Sequence, residues 1–574
     1  MATPATAPPV TKEKPAEVGP VRARRRRGRT RRLPSRRALE SFAIFGLFFA
    51  LYFAIGYRVV VELHLVNFDA LARLAHAYFV WWNEPPKLAA IGFVWPPFQT
   101  LVFLPFALIK PLATSLAALP AMSAVFMAGL MVVLNRALGV TEMAWYARYP
   151  LLVLFGLNPM IVYYGANGMA EAVYLFFLTA AVYFLIRWHL TRRTHLLAFV
   201  GLAMSLAMLS RYEILPFALV IAAAIGAITL AGRERVYRPQ ELEGSLLLYL
   251  APVAYAGGAW LFFNWLILGD PLSFLQFGPT SADIGTSQQD IAGLAARDLG
   301  ATELVKYLFE LNFALFPLAP IVFGGLLITA AVRRDLMSFV LAALVVTNAA
   351  VTALLFLQSS DPNLVQLRYN MRAIPLALIG AAWIFYIWHR SPIRWSVWAA
   401  TALVLALSLP STYLTMRTYT YQYEENVFLR ALETGEDQEG NNGIGGYPIG
   451  IADEEAITEY IEQNVPEDDV ILTDDAQSLG IMLLSGRPDL FFDRIDRGDD
   501  AWLRALDDPF GKVDYFLVTT DERCRAPCLD FVRDRYPGVL RDRVPGMHVV
   551  LRTKQYVLIE LDERAPPESS RDES

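Results

Sequence analysis

The sequence predicts a polytopic α-helical membrane protein of about 11 transmembrane helices, with an extracytoplasmic α/β domain at its C-terminus. Composition and periodicity predict the membrane part. The 574-residue chain is 55% hydrophobic with a mean hydropathy of +0.37. Its apolar runs repeatedly reach about 18 residues, enough to cross a bilayer. From residue 415 onward, acidic residues become frequent and helical patterns alternate with short apolar runs, which predicts the α/β domain.

The N-terminal segment is strongly basic. Residues 1–38 are otherwise rich in Pro and Ala, so we predict a disordered tail. Ten arginines lie between positions 22 and 37, just before the first apolar run, and this placement predicts a cytoplasmic N-terminus. The tail either only sets the topology or also contacts anionic membrane lipids. No folded basic domain accompanies the arginines, so nucleic acid is not an expected partner.

The loops between the apolar segments decide the topology. Arginines occur in alternate loops, all on the side of the basic tail, as the positive-inside rule requires. Segment 97–112 is apolar but short and interrupted by Pro105 and Pro111, so we interpret it as a re-entrant or surface helix. The C-terminus then lies outside the cytoplasm, and the protein is a multi-pass protein of the cell membrane. The predicted spans are 39–61, 115–137, 145–163, 169–188, 195–210, 213–231, 245–268, 305–330, 336–357, 373–389 and 395–414.

These patterns divide the chain into a membrane domain at 39–414, an α/β domain at 415–562 and a polar tail at 563–574. The α/β domain is predicted to contain a helix, two strands, a second helix and a hairpin. In order, these elements cover 454–464, 469–473, 513–520, 527–536 and 548–559.

The chain contains only two cysteines, Cys524 and Cys528. Two are too few to build a Cys-based metal site. Outside the cytoplasm they either form a short-loop disulfide or remain free thiols.

The first outer loop, 57–97, brings charged groups, tryptophans and prolines together at a membrane surface. Asp69 in this loop is our candidate general base, because a carboxylate beside a bound proton donor can accept its proton. The alternative is a surface aspartate paired with Arg73 at i,i+4. Glu84 lies between the tryptophans and a Pro-Pro step, and we include it among the candidate substrate-binding residues.

Arginines at outer helix ends are candidates for binding a phosphate group, because the guanidinium fork matches phosphate oxygens. Arg368 and Arg372 flank Tyr369 and share one face if the segment is α-helical. Their alternative role is to anchor the helix at the interface. Arg58 lies within the first apolar run, one turn before Glu62, and either pairs with it or binds phosphate.

Two further outer loops supply candidate substrate-binding residues: Asn167 and Glu171 in one, Arg211 and Glu213 in the other. Each has a simpler explanation. A glutamate in the first turn of a helix is favoured by the helix dipole alone. An arginine and a glutamate that bracket a membrane re-entry can form a salt bridge without binding anything else.

Taken together, the order of these features resembles the GT-C superfamily of integral-membrane glycosyltransferases, which includes protein mannosyltransferases and the aminoarabinose transferases of lipid A. The resemblance covers roughly 39–390. It rests on a first outer loop containing an acid, an aromatic-Pro-Pro step, an Asn-Pro step near the end of an outward span and an Arg-Tyr pair before a late span. Here these are Asn67-Phe68-Asp69, Trp95-Pro96-Pro97-Phe98, Asn158-Pro159 with Tyr163-Tyr164, and Arg368-Tyr369.

The resemblance implies that Asp69 is catalytic and that the donor is a sugar linked to a polyprenyl phosphate. The acceptor would be a lipid, a glycan or a protein. We expect an inverting transfer on the extracytoplasmic face, in which Asp69 takes the acceptor's proton. Near Asp69 there is no Asp-Asp or Asp-x-Asp pair, so the sequence does not support a divalent metal and predicts no certain cofactor.

A transporter or lipid flippase is the alternative from another functional class. Such a protein needs ionisable residues at mid-membrane and usually contains internal repeats. In this sequence the charges gather at the outer ends of the spans, and we find no repeat. A simple membrane anchor for the α/β domain would not need so many spans.

Overall fold

The computed structural model describes residues 35–83, 85–93, 95–231, 238–274, 301–358, 366–419, 424–438, 450–493, 499–522, 530–541 and 543–563. From Ala43 onward these residues form one compact unit. Several predicted features lie outside the described residues. They are most of the basic tail, Glu84, most of the loop 270–302, both cysteines and nearly all of the polar tail.

The membrane domain is built from sixteen described α-helices, numbered here in chain order. They are α1 Arg36–Gly56, α2 Phe68–Trp82, α3 Phe98–Ala107, α4 Lys110–Thr114, α5 Ala118–Val140, α6 Trp145–Gly156, α7 Pro159–Tyr164, α8 Ala170–Thr191, α9 His195–Met208, α10 Leu215–Leu230, α11 Arg238–Leu268, α12 Ala301–Leu315, α13 Leu318–Arg333, α14 Leu336–Gln358, α15 Ala373–Ile387 and α16 Ile393–Thr418. A π-helical turn, Tyr57–Glu62, extends α1, and short 3-10 turns occur at Leu88–Ile91, Tyr212–Ile214 and Leu367–Asn370.

Within the described residues, eight helices are long and apolar enough to cross a membrane. The pair α12–α13 is bent by 109° and makes a ninth span if it is counted as one. The chain is therefore a multi-pass membrane protein, as predicted. The predicted number of 11 included two segments, 145–163 and 195–210, that form shorter helices.

Local chemistry explains why the segment 145–163 is broken. Helix α6 ends at Gly156, and the Asn158 side chain then accepts a hydrogen bond from the Met160 N–H at 3.1 Å. This caps α7, which begins with Pro159 at the first helical position, where its missing N–H costs nothing. The bend between α12 and α13 coincides with Pro317, which precedes the first residue of α13.

The C-terminal α/β domain contains a five-stranded mixed sheet in the order β2-β1-β3-β5-β4. Strands β1, β2 and β3 are parallel, whereas β4 and β5 form an antiparallel hairpin beside β3. The predicted strands and hairpin are confirmed, and β2 is an additional short strand. The elements are α17 Glu424–Thr434, α18 Ala452–Asn464, β1 Ile471–Thr473, α19 Asp475–Leu484, β2 Phe491–Phe492, α20 Asp499–Asp507, β3 Tyr515–Thr519, α21 Phe531–Arg535, β4 Met547–Arg552 and β5 Tyr556–Leu561.

The two faces of the sheet bury different sets of side chains, because successive strand residues point to opposite sides. Leu472, Phe516 and Val557 belong to a small core within the domain, which also contains Trp502 of α20. Residues of the other face, including Ile471, Leu517 and Leu558, belong to the same apolar core as the membrane helices. The α/β domain is therefore packed onto the membrane domain through continuous apolar contact.

Helix α2 lies at this junction. Ten of its residues, from Ala70 to Val80, are buried. One side of α2 packs against α3 and another against α19 of the α/β domain. Near its C-terminal end the Tyr78 hydroxyl donates a hydrogen bond to the carbonyl of Gly486 at 3.1 Å. The helix that carries Asp69 is thus enclosed by both domains.

Candidate active site

Asp69 occupies the first turn of α2, where the positive end of the helix dipole favours a carboxylate. The helix begins after Asn67, whose side chain makes no capping hydrogen bond. The Asp69 side chain is 28% exposed, so it remains reachable although most of α2 is buried. A carboxylate in this position can contact a ligand without leaving its helix.

Arg73, one helical turn later, holds the start of α2 in place. Its Nη1 donates a hydrogen bond to the main-chain carbonyl of Asp69 at 2.9 Å and lies 3.9 Å from Asp69 Oδ2. The guanidinium also lies over the Trp95 ring, 4.7 Å from the ring centroid. Burial lowers the pKa of Arg73 to about 10, so it stays charged at neutral pH. The i,i+4 pairing considered from sequence is therefore present, but as a buried support rather than a surface pair.

Arg368 approaches Asp69 from the 3-10 turn Leu367–Asn370. Its Nη1 lies 3.8 Å from Asp69 Oδ2, and the guanidinium is 5.8 Å from the Tyr369 ring centroid. The side chain is only 11% exposed, yet neither Nε nor Nη1 has a hydrogen-bond acceptor. Buried donors without acceptors are costly, so this guanidinium is well suited to receive the oxygens of an anion.

Arg211 joins the same cluster from the turn between α9 and α10. Its Nη2 lies 3.5 Å from Glu171 Oε1 and 3.3 Å from Glu213 Oε1. The guanidinium is also 5.7 Å from the Tyr369 ring centroid. Glu171 is completely buried, and neither of its oxygens accepts a hydrogen bond, so Arg211 is the group that balances its charge.

The structure thus brings six predicted site residues into one network of ion pairs and ring contacts. They are Asp69, Glu171, Arg211, Glu213, Arg368 and Tyr369. They come from four separate segments of the chain.

Arg372 has a different environment from Arg368. It is 2% exposed, and its Nε donates to Asn348 Oδ1 at 3.2 Å. Its Nη2 donates to the main-chain carbonyl of Tyr369 at 2.7 Å. These bonds connect the turn that carries Arg368 to α14, so Arg372 stabilises that turn.

Three other candidates lie apart from these contacts or outside the described residues. Arg58 pairs with Glu62, and both side chains are about half exposed. Asn167 is 5% exposed, and its Oδ1 accepts a hydrogen bond from the Met169 N–H at 3.1 Å, which orders the entry to α8. Glu84 is not described.

Glu425 is a site neighbour that sequence reasoning missed. It lies on α17, is completely buried, and its Oε1 accepts a hydrogen bond from the Tyr164 hydroxyl at 2.7 Å. Burial and the adjacent Glu424 raise the pKa of Glu425 to about 7, and hydrogen bonding and the charge of Arg368 only partly offset this rise. No motif singled out this glutamate in the sequence, where it is one of two adjacent acidic residues in the first turn of a helix.

His76, one turn after Arg73 on α2, contacts the 3-10 turn Leu88–Ile91. Its Nδ1 lies 2.9 Å from the carbonyl of Ala90, in the turn that precedes Trp95. Burial lowers the pKa of His76 to about 4, so the ring is neutral at physiological pH.

In the part of the chain that the structure describes, no cluster of three or more His, Cys, Asp or Glu side chains could hold a metal ion.

Comparison with solved structures identifies the fold. ArnT from Cupriavidus metallidurans bound to undecaprenyl phosphate aligns with a TM-score of 0.53 at 13% sequence identity, covering 90% of this chain and 97% of that one. The apo state of the same protein aligns with a TM-score of 0.52 at 13% identity, covering 92% of this chain and all of that one. The chain has the GT-C fold.

The alignments with ArnT cover 90% and 92% of this chain and so extend over most of the sequence. An archaeal oligosaccharyltransferase, AglB from Archaeoglobus fulgidus in complex with an inhibitory peptide and a dolichol-phosphate, aligns at 10% identity over 92% of this chain and 75% of that one. Its TM-score of 0.44 is too low to add support. No family model and no curated protein sequence matches this chain.

Proposed function

We propose that the protein is a membrane glycosyltransferase. It would move a sugar from a polyprenyl-phosphate donor to an acceptor hydroxyl of a lipid, a glycan or a protein. One observation carries this proposal. A partly exposed carboxylate, Asp69, lies beside a buried arginine, Arg368, that has unused hydrogen-bond donors. This pairs a group that can accept a proton with a group that can bind phosphate.

The proposed reaction uses each group once. The acceptor hydroxyl gives its proton to Asp69 as its oxygen bonds to the anomeric carbon. The bond from that carbon to the phosphate oxygen breaks, and its electron pair leaves with the phosphate. Arg368 stabilises the charge that develops there, with Arg211 nearby in the same cluster. A phosphate that leaves as an anion needs no general acid, so one carboxylate suffices, unlike in the two-carboxylate glycosidases.

The geometry also suggests roles for the supporting groups. Arg73 fixes the backbone of Asp69 at the start of α2, and Arg372 fixes the turn that carries Arg368. Attack from the side opposite the phosphate would invert the anomeric configuration. No divalent metal is part of this proposal, because the anion is met by guanidinium groups.

We further propose that the N-terminus is cytoplasmic, and that the site and the α/β domain lie outside. The proposed domain boundaries are those expected from the sequence, 39–414 for the transferase domain and 415–562 for the α/β domain. The arginine alternation of the loops supports this orientation. It places the site on the extracytoplasmic face, at the level of the lipid headgroups. A transporter is less well supported, because the described charges converge on one such cluster.

Purified protein should be assayed with a panel of radiolabelled polyprenyl-phosphate sugars against lipid, glycan and peptide acceptors. We expect transfer from one of these donors and inversion at the anomeric carbon, determined by NMR of the product. Asp69→Asn is the inactive variant. Asp508→Asn, at an exposed ion pair with Lys512, is its matched control. Transport of the donor lipid without any product, with Asp69→Asn as active as the wild type, would favour a flippase.

A further inference from the structure

The α/β domain touches the Asp69 helix at a glycine. A Cβ atom built at Gly480 of α19 would lie 3.2 Å from Leu71 Cδ2, closer than most Cβ contacts in proteins. Leu71 is 4% exposed and lies two residues after Asp69, in the first turn of α2. The absence of a side chain at Gly480 is therefore what lets α19 approach α2 this closely.

A second glycine fixes the other end of α2. Gly486 has φ +63°, a left-handed conformation that suits glycine, and its carbonyl accepts the hydrogen bond from Tyr78. A Cβ atom at Gly486 would lie 3.4 Å from Lys110 and from Thr114 of α4. The α/β domain thus contacts both ends of α2.

The α/β domain is itself braced behind Gly480. The Tyr556 hydroxyl of β5 lies 2.9 Å from Glu454 Oε1 of α18 and 3.0 Å from the carbonyl of Gln477 in α19. The same Glu454 side chain also flanks Gly480, since its Cγ would lie 3.2 Å from an added Cβ. Helix α19 is therefore held between the sheet and α2, and a shift of α19 is transmitted to α2.

From these contacts we infer that the α/β domain is a positioning element for the active site, with Gly480 and Leu71 as positioning residues that set the placement of Asp69 relative to Arg368. The role rests on the proposed function of that site. Neither residue touches the reacting atoms. The pair acts on the rate because a displacement of about 1 Å between reacting groups can cost as much as 100-fold.

A graded series at Gly480 tests this role in the full-length protein. Gly480→Ala and Gly480→Val should lower kcat progressively, with Val reducing it by roughly 10-fold to 100-fold. The KM for the donor and the affinity for undecaprenyl phosphate should stay near wild type, because Arg368 lies in the 3-10 turn Leu367–Asn370 and not on α2. Adding Leu71→Ala to Gly480→Val should restore part of the lost kcat, since it removes the contact on the α2 side and leaves the one with Glu454 of α18.

The matched control is Gly324→Val. Gly324 is a glycine of α13 with no atom within 4 Å of an added Cβ, so this variant should keep wild-type kcat. Leu71→Ala alone measures the effect of that truncation by itself, and the recovery of kcat in the double variant is judged relative to it. Wild-type kcat in Gly480→Val, or a loss that Leu71→Ala does not relieve, would overturn the inference.

Hydrogen exchange of residues 68–82 gives a readout that does not depend on activity. Exchange in this segment should be faster in Gly480→Val than in the wild type and slower again in the double variant. Unchanged exchange would also overturn the inference. If the wild type neither binds undecaprenyl phosphate nor transfers any sugar, the proposed function fails, and the exchange experiment still decides whether Gly480 and Leu71 couple α19 to α2.

Discussion

Asp69 Oδ2 and Arg368 Nη1 lie 3.8 Å apart, although Asp69 belongs to α2 and Arg368 to the 3-10 turn that precedes α15. Arg73 Nη1 lies 3.9 Å from the same oxygen. Asp69 therefore pairs with two arginines. An arriving phosphate would compete for Arg368 and release Asp69 toward the acceptor hydroxyl.

Asp69→Asn should abolish transfer while leaving the fold and donor binding largely intact. Asparagine keeps the shape of the side chain but cannot accept the proton. General-base catalysis typically contributes about 10²- to 10⁴-fold, so a loss of that size is expected. Steady-state transfer rates and undecaprenyl phosphate binding by the same preparation provide the measurement. A variant that keeps more than about a tenth of the wild-type rate would contradict the role.

Arg368 and Arg372 should respond differently to substitution by lysine. Arg368→Lys should weaken binding of undecaprenyl phosphate and slow turnover, because an ammonium group does not reproduce the guanidinium fork. Arg372→Lys should mainly lower the thermal stability, because it removes the bonds to Asn348 and to the carbonyl of Tyr369.

The two arginine variants control for each other, since they lie in the same segment. Binding can be measured by titration in detergent and stability by thermal unfolding. Full activity in Arg368→Lys would remove its phosphate role and leave only a structural one. If Arg372→Lys instead loses much of its affinity for undecaprenyl phosphate and keeps wild-type stability, Arg372 binds the donor phosphate.

Glu425 should make the stability of the protein depend on pH. Its pKa is raised from 4.5 to about 7 in the folded state, so the folded protein holds this proton more tightly than the unfolded chain. The resulting stabilisation is fully present below pH 4.5 and is lost as the pH rises through 7. Glu425→Gln lacks this titration, so its Tm should change less across this pH range than the wild-type Tm does, by roughly a few degrees.

Thermal unfolding of wild type and Glu425→Gln across this pH range provides the comparison. Glu424, Tyr164 and Arg368 are the other titratable or charged groups that act on this carboxyl. Glu433→Gln, on the same helix but 37% exposed, is the control and should follow the wild type. Parallel pH profiles for wild type and Glu425→Gln would contradict the raised pKa.

The α/β domain should be accessible from outside the cell. After Cys524 and Cys528 are replaced by serine, a single cysteine at the exposed position Glu462 should react with a membrane-impermeant maleimide in intact cells. A cysteine at the exposed Arg193, between α8 and α9, should react only after the membrane is permeabilised. The reverse pattern would invert the proposed topology.

The sequence by itself determined the features that depend on local periodicity. Long apolar runs specified most of the membrane helices, because a bilayer crossing needs about 20 apolar residues. Short apolar runs specified β3 and the β4–β5 hairpin for the same local reason. The length of the span predicted at 145–163 was overestimated. Its composition is mostly apolar, whereas the helix is interrupted by the cap at Asn158 and Pro159.

Only the tertiary structure decided which polar groups meet. Sequence placed Arg368 and Arg372 on one helical face, but Arg368 lies in the 3-10 turn Leu367–Asn370 and Arg372 precedes α15. A 3-10 turn has about three residues per turn, so the α-helical i,i+4 relation does not hold there. One side chain therefore faces Asp69 and the other faces Asn348.

The same limit applies to Arg73 and Glu425. Both occur in helices whose local patterns fit a surface position, and both are buried because another part of the chain covers them. Burial determines whether a charged group is solvated or must find a partner, and it is set by neighbours distant in sequence. The sequence therefore supplied the chemical groups and their segments, and the packing of those segments decided which groups form the site.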